Sequence, residues 1–155
     1  MTRRMWFAQF MVLFAAVAVC VAADDAAIGT WKLDEAKSKL VAGMPKNTTV
    51  VYTQAGDSMK VVVEGVYAAG KATHNEWTGK FDGKDYPLTG DPTADTRSYK
   101  RIDANTLELA NKKDGKVVLS GRITISADGK TRTVIVSGTG SDGKKLTSSA
   151  VYNKQ

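Results

Sequence analysis

DGKVVLSGRITISADGKTRTVIVSGTGSDGK, residues 114–144, decides the fold. Three Asp-Gly-Lys tripeptides punctuate it, Asp114-Gly115-Lys116, Asp128-Gly129-Lys130 and Asp142-Gly143-Lys144, and a fourth, Asp82-Gly83-Lys84, lies upstream. Asp-Gly is a strong hairpin signal, because turns that match strand twist need positive φ, which Gly adopts freely and Asp tolerates. Between the first two turns Val117, Leu119, Gly121, Ile123 and Ile125 fall on one face. Lys116, Ser120, Arg122, Thr124 and Ser126 fall on the other, the alternation of a half-buried strand. The spacing from Asp128 to Asp142 predicts strands of about a dozen residues, roughly twice the usual length.

Working outward, Gly56-Asp57, Ala69-Gly70 and Asp103-Ala104-Asn105 are weaker turns separating segments rich in Val, Ile, Thr and Tyr. They predict strands over 28–33, 47–55, 58–67, 72–81, 84–89, 96–102, 106–113, 116–127, 130–139 and 144–153. On the fourth, Asn75, Trp77, Gly79 and Phe81 oppose His74, Glu76, Thr78 and Lys80, so one face is core and the other is wet. A long meander either closes into a barrel, which abolishes its edges, or splits into two packed sheets. The expected fold is all-β: an antiparallel up-and-down meander of about ten strands closed into a barrel, with one short helix near one end. That helix is read after Asp34 as cap, with Leu33, Ala36 and Leu40 on one face, Lys37 and Lys39 toward its C-terminus, and Gly43 and Pro45 as its stop.

The first 23 residues have the three parts of a secretory signal: Arg3 and Arg4, an apolar run from Phe10 to Ala23, and Val21-Ala22-Ala23 before Asp24. The run is shorter than the ~20 residues that cross a bilayer. Cys20 raises a lipoprotein signal, against which stands the bulky Val19 before it. The expected domains are thus a signal over 1–23 and one domain over 24–155, exported to a periplasm or secreted, with no membrane span after cleavage.

Of the 155 residues, 43% are hydrophobic and 25% charged, which excludes collagen-like, largely disordered and multi-span chains. Cleavage removes two of the 22 basic residues, leaving 20 against 16 acidic ones, and the one Cys goes with them. The remaining domain is only mildly basic and must be held by packing and hydrogen bonds. Asn47-Thr48-Thr49 is a glycosylation sequon of a kind common by chance.

Gly29-Thr30-Trp31-Lys32-Leu33 resembles the Gly-x-Trp signature that opens lipocalins and fatty-acid-binding proteins, and Ala150-Val151-Tyr152-Asn153-Lys154 is similar to the closing strand of the latter. The whole looks closer still to small exported lipocalin-like domain proteins of bacteria. The resemblance implies a ligand-holding barrel, with Gly29 and Trp31 as structural signature, Trp31 packing the closed end, and Tyr152 carrying over from a ligand-gripping Arg-x-Tyr. The Arg of that pattern is replaced by Ala150, the stretch from Asp34 to Lys46 is too short for a two-helix lid, and the disulfides usual in lipocalins are missing. Those departures weaken fatty-acid binding in particular and leave the barrel standing.

Candidate chemistry is sparse. Arg97, Tyr99 and Arg101 alternate on one face of their strand. Pointing inward they anchor an anionic head group; pointing outward they form a solvated stripe, the direction favoured by the rarity of unpaired buried Arg. Trp77 is core or pocket wall. His74 and Glu76 lie two apart on a polar face, but no second His and no Cys beyond Cys20 exists to complete a metal site. No nucleophile elbow, phosphate-cradling loop or Cys nucleophile is present, and the Asp residues mostly serve turns. Lysines cluster at turns beside Asp rather than in the stripe that nucleic-acid binding wants.

The expectation is a monomeric, non-catalytic, exported barrel, with no cofactor or metal and no nucleic-acid partner. It binds a small apolar or amphipathic molecule through Trp77, Arg97, Tyr99, Arg101 and Tyr152. The competing expectation is a solidly packed envelope or protein-interaction module. Gly65, Gly79, Gly121 and Gly138 bear on the choice, since missing side chains along strands leave room inside.

Overall fold

The computed structural model describes residues 25–67, 70–140 and 143–155; the signal-like segment and the lipoprotein reading of Cys20 lie outside them. Ten antiparallel strands run in chain order: β1 (Gly29–Lys39), β2 (Lys46–Ala55), β3 (Ser58–Val66), β4 (Ala72–Gly79), β5 (Tyr86–Thr89), β6 (Thr96–Asp103), β7 (Thr106–Lys113), β8 (Lys116–Ile125), β9 (Thr131–Thr139) and β10 (Lys145–Lys154). Each pairs with its chain neighbours, and β1 pairs with β10 to close the barrel. All ten predicted strands are present, and the coarse expectation carried by the two termini, a closed antiparallel barrel, holds.

The turns use the predicted chemistry. Lys113 and Lys116 face each other across a two-residue loop in which both Asp114 (φ 49°) and Gly115 (φ 74°) are left-handed, the geometry that matches strand twist. At Asp82, Asp103 and Asp128 a carboxylate oxygen accepts the backbone N–H two residues on, at 2.8–3.0 Å. Those hydrogen bonds hold the Asp82 and Asp103 carboxyls below the usual range, and at Asp128 the Ser126 hydroxyl does so first, with the Lys130 N–H second.

The short helix does not form. β1 runs on to Lys39 and bulges: Asp34 faces Val151 and Lys39 faces Ser149, so four residues intervene on β1 where one, Ala150, intervenes on β10. Asp34 still caps, its carboxylate accepting Lys37 N–H at 3.3 Å, while Ser38 Oγ donates to Asp34 O and accepts Val151 N–H at 2.9 Å. Six residues are too few to sustain a helix whose nucleation is unfavourable, and β10 offers backbone partners at once. The connection from Leu40 to Pro45 covers the barrel end instead.

A second departure lies on β8. The register with β7 shifts between Asn111, which faces Leu119, and Lys112, which faces Val117. This bulge turns Val117 outward, 57% exposed, and brings Val118 inside. The buried core, including Trp31, Tyr52, Val61, Trp77 and Leu107, fills one end of the barrel. That end is closed by the entering chain: Trp31 Nε1 donates to Ala27 O at 2.8 Å, and Arg101 pairs with Asp25.

Candidate functional site

Above the aromatic floor the barrel is hollow, with a cavity of about 230 Å³. Leu40, Met44, Pro45, Tyr67 and Leu146 rim its mouth; Val50, Val63, Leu109, Ile123, Val134 and Val136 form apolar walls. The mouth is the end reached by the β1–β2, β3–β4, β5–β6, β7–β8 and β9–β10 connections. Gly138 lines the space, but the other strand glycines do not open it. A Cβ on Gly79 would meet the Tyr86 and Trp77 rings at 2.5–2.7 Å, and on Gly65 and Gly121 a backbone carbonyl at 2.4 and 2.1 Å. These glycines admit neighbours rather than ligand.

Two arginines face this cavity. Arg97, on β6 and 6% exposed, donates from Nε to Asn111 Oδ1 at 2.7 Å and from Nη1 to Asn75 Oδ1 at 3.3 Å. Arg132, on β9 and 4% exposed, lies over the rings of Tyr152 (4.6 Å), Tyr52 (5.2 Å) and Trp31 (5.5 Å). Its Nε is buried without a hydrogen-bond partner. Among the described residues neither guanidinium has an ion-pair carboxylate, whereas Arg101 has Asp25 and Arg122 has Glu108. The carboxylate that reaches the cavity, Asp91 at the mouth, accepts Thr93 N–H and Oγ1 at 2.8 and 2.7 Å.

The phenols add donors. Burial, reinforced by Tyr99, raises the Tyr52 hydroxyl well above the ordinary phenol range; burial raises Tyr152 as well, with Arg132 pulling the other way. Both stay protonated at neutral pH, and Tyr152 donates to Asn47 O at 3.1 Å. The interior therefore carries two cations and neutral hydroxyls in a low-dielectric enclosure, chemistry that fits an anion or a strong acceptor.

The residues expected for binding divide. Arg97, Tyr99 and Tyr152 line the cavity, which places the 97–99 portion of that face inward, against the solvated direction favoured above. Arg101 sits at the closed end, its guanidinium 4.9 Å from the Phe81 ring centre and bonded to Asp25. Trp77 is core behind the wall, stacked on Phe81, edge-on to Tyr99 at 4.8 Å, and donating to Arg97 O at 2.8 Å. Trp31 is fully buried and Gly29 (φ 125°) packs against Lys154. His74 lies on the outer surface between Glu64 (2.5 Å) and Glu76 (3.2 Å), which raise its pKa.

Sequence reasoning missed Arg132, Asn111 and the role of Asn75. A signal existed for the first: Arg132, Val134, Val136 and Gly138 share the period-two face of β9, so the apolar alternation itself carries Arg132 inside.

Compared with known proteins, the chain matches no family model and no curated protein. Among solved structures it is similar to EF1p2_mFAP2b bound to DFHBI, with TM-score 0.46 and 12% identity over 84% of this chain and 94% of that one. It is also similar to a redesigned β-barrel, mFAP1, bound to DFHBI, with TM-score 0.43 and 15% identity over 83% and 95%.

Proposed function

We propose that this chain is an exported, non-catalytic, lipocalin-like binding protein for a small amphipathic molecule. The ligand's anionic or strong acceptor group docks on Arg132 at the floor of the barrel, and its apolar part fills the Val and Leu walls. The observation that carries the reading is Arg132 itself, buried in a cavity with an unpartnered Nε and no carboxylate. Desolvating a buried cation costs several kcal/mol, the three rings offset much of that, and a bound anion removes what remains. The volume of about 230 Å³ lies below the usual range for drug-sized ligands, so the molecule is small. His74, the one candidate general base among the His, faces outward, which supports binding without turnover. Export rests on the Arg3-to-Ala23 pattern.

The test is native mass spectrometry of the protein, unfolded in urea and refolded to empty it, against an extract of small organic acids. One adduct per chain is expected, lost in Arg132→Met. Refolded protein that takes up no species at any concentration refutes the reading. Export is checked by expressing the full chain and sequencing the mature N-terminus; a cell-retained protein still carrying residues 1–23 refutes that part.

A further inference from the structure

A ligand whose single head sits on Arg132 leaves Arg97 unaccounted for. Arg97 belongs to β6, separated from β9 by β7 and β8, and the two guanidiniums share no hydrogen-bond partner and lie over different rings, although the charges of both act on the Tyr52 hydroxyl. Arg97 stands at the second position of β6, just inside the mouth-side β5–β6 connection. Arg132 stands at the second position of β9, just inside the closed end.

The surroundings of Arg97 are built. A guanidinium has donors only, so Asn75 and Asn111 must turn their amide oxygens toward it, as the 3.3 and 2.7 Å contacts record. That leaves both Nδ2 groups as donors with no side-chain or backbone acceptor among the described residues. Both asparagines are buried, at 7% and 5% exposure, and both line the cavity. Arg97 Nη2 and the two amide nitrogens are the remaining donors of this cluster on the cavity wall, beside a full positive charge. Donors facing a cavity want acceptors; the one unpartnered oxygen on this wall among the described residues is the hydroxyl of Thr73, two residues from Asn75, which carries no charge to answer Arg97.

We infer that the ligand is two-headed: a small molecule with acceptor groups at both ends of a short apolar spacer, of the α,ω-diacid class, one end on Arg132 and the other on the Asn75–Arg97–Asn111 donor cluster. This inference rests on the binding reading proposed above and adds a second subsite to it. The Val50, Val63, Ile123 and Val134 walls receive the spacer, and the ligand enters and leaves through the mouth above Arg97.

The experiment is calorimetric titration of the emptied protein at neutral pH with hexanedioate, octanedioate and decanedioate, each against the monoacid of the same length. At least one diacid is expected to bind about tenfold tighter than its monoacid, or more, a difference of about 1.4 kcal/mol. In Arg97→Met the diacid-to-monoacid ratio should collapse to within about twofold, with folding checked by circular dichroism. Asn111→Asp is the second variant: it keeps the side-chain shape and gives Arg97 an internal counter-ion, and it should abolish the diacid's advantage too. Monoacid binding with no diacid advantage overturns the two-headed inference and leaves the Arg132 reading standing, as does an advantage that survives both variants. Failure of every acid to bind overturns the anion reading of the cavity and this inference with it.

Discussion

Replacing Arg132 by Met should leave the empty barrel as stable as the parent, or more so, while removing its ligand response. The side chain is 4% exposed, and among the described residues its Nε has no partner and no carboxylate pairs with it. Against the several kcal/mol of desolvation stand three ring contacts at 4.6–5.5 Å. Cation–π contacts reach about 2 kcal/mol each when desolvated, and three rings sharing one cation give less than three times that. The two sums are of the same size, and Met fills a similar length with polarizable apolar atoms that also favour aromatic neighbours. The expected change in unfolding free energy lies between about zero and 2 kcal/mol in favour of the variant. Urea unfolding of the emptied proteins measures it, with unchanged m-value as the check that the barrel is intact. The same titration repeated with saturating ligand should move the parent midpoint and not the variant's. A variant destabilised by more than about 3 kcal/mol when empty would refute the reasoning, because it would make the guanidinium a structural pillar already compensated inside the protein.

Gly121→Ala places a Cβ 2.1 Å from Ile135 O and 2.8 Å from Val136 Cα, so the β8–β9 pair must shift; a loss of about 1–3 kcal/mol in urea unfolding is expected, and a neutral result would mean the strands separate freely there. Asp114→Val forces a β-branched residue to φ 49° and should cost about 1–2 kcal/mol, whereas Asp114→Gly should cost little; equal effects would contradict the turn assignment. His74 has its pKa raised by Glu64 first and Glu76 second, so its stabilising contribution is fully present below the unfolded value near 6.5 and is lost as pH rises through the higher folded value. NMR titration of its ring should give a midpoint above 6.5 that falls back in Glu64→Gln, and a midpoint at or below 6.5 would sink the Glu64–His74 pair.

The strands were legible because two independent signals coincide on them, period-two alternation and Asp-Gly turns, and because antiparallel neighbours need no long-range information to find each other. The helix after Asp34 misled because its signals are real but reused: the same Asp that caps a helix caps a bulge, and the competing partner, β10, lies more than a hundred residues away. Val117 misled because the bulge between it and Leu119 puts it on the face opposite to Leu119, Ile123 and Ile125. The direction of Arg97, Tyr99 and Arg101 was not readable at all, since both faces of β6 carry polar groups; only closure of the barrel decides it, and it decides differently along the strand. The site proper depends on partners missing from the sequence pattern, namely which arginines have carboxylates opposite them, and that is a property of register rather than of composition.

The distribution of those partners argues for a division of labour along the barrel axis. Beneath Arg132 the groups that close the barrel are answered: Arg101 by Asp25, Trp31 Nε1 by the Ala27 carbonyl, Trp77 Nε1 by the Arg97 carbonyl, and the aromatic rings by one another. Backbone pairing around all ten strands leaves no open edge, so the register does not depend on what fills the interior. A chain stable by only about 5–15 kcal/mol can tolerate two interior cations without a counter-ion among the described residues only if the rest of the fold is so completed. Arg97 and Arg132 instead line the cavity, where Arg132 Nε is left without a partner. Stability and recognition are thus assigned to different levels of one barrel, and the uncompensated charge marks the level that awaits a ligand.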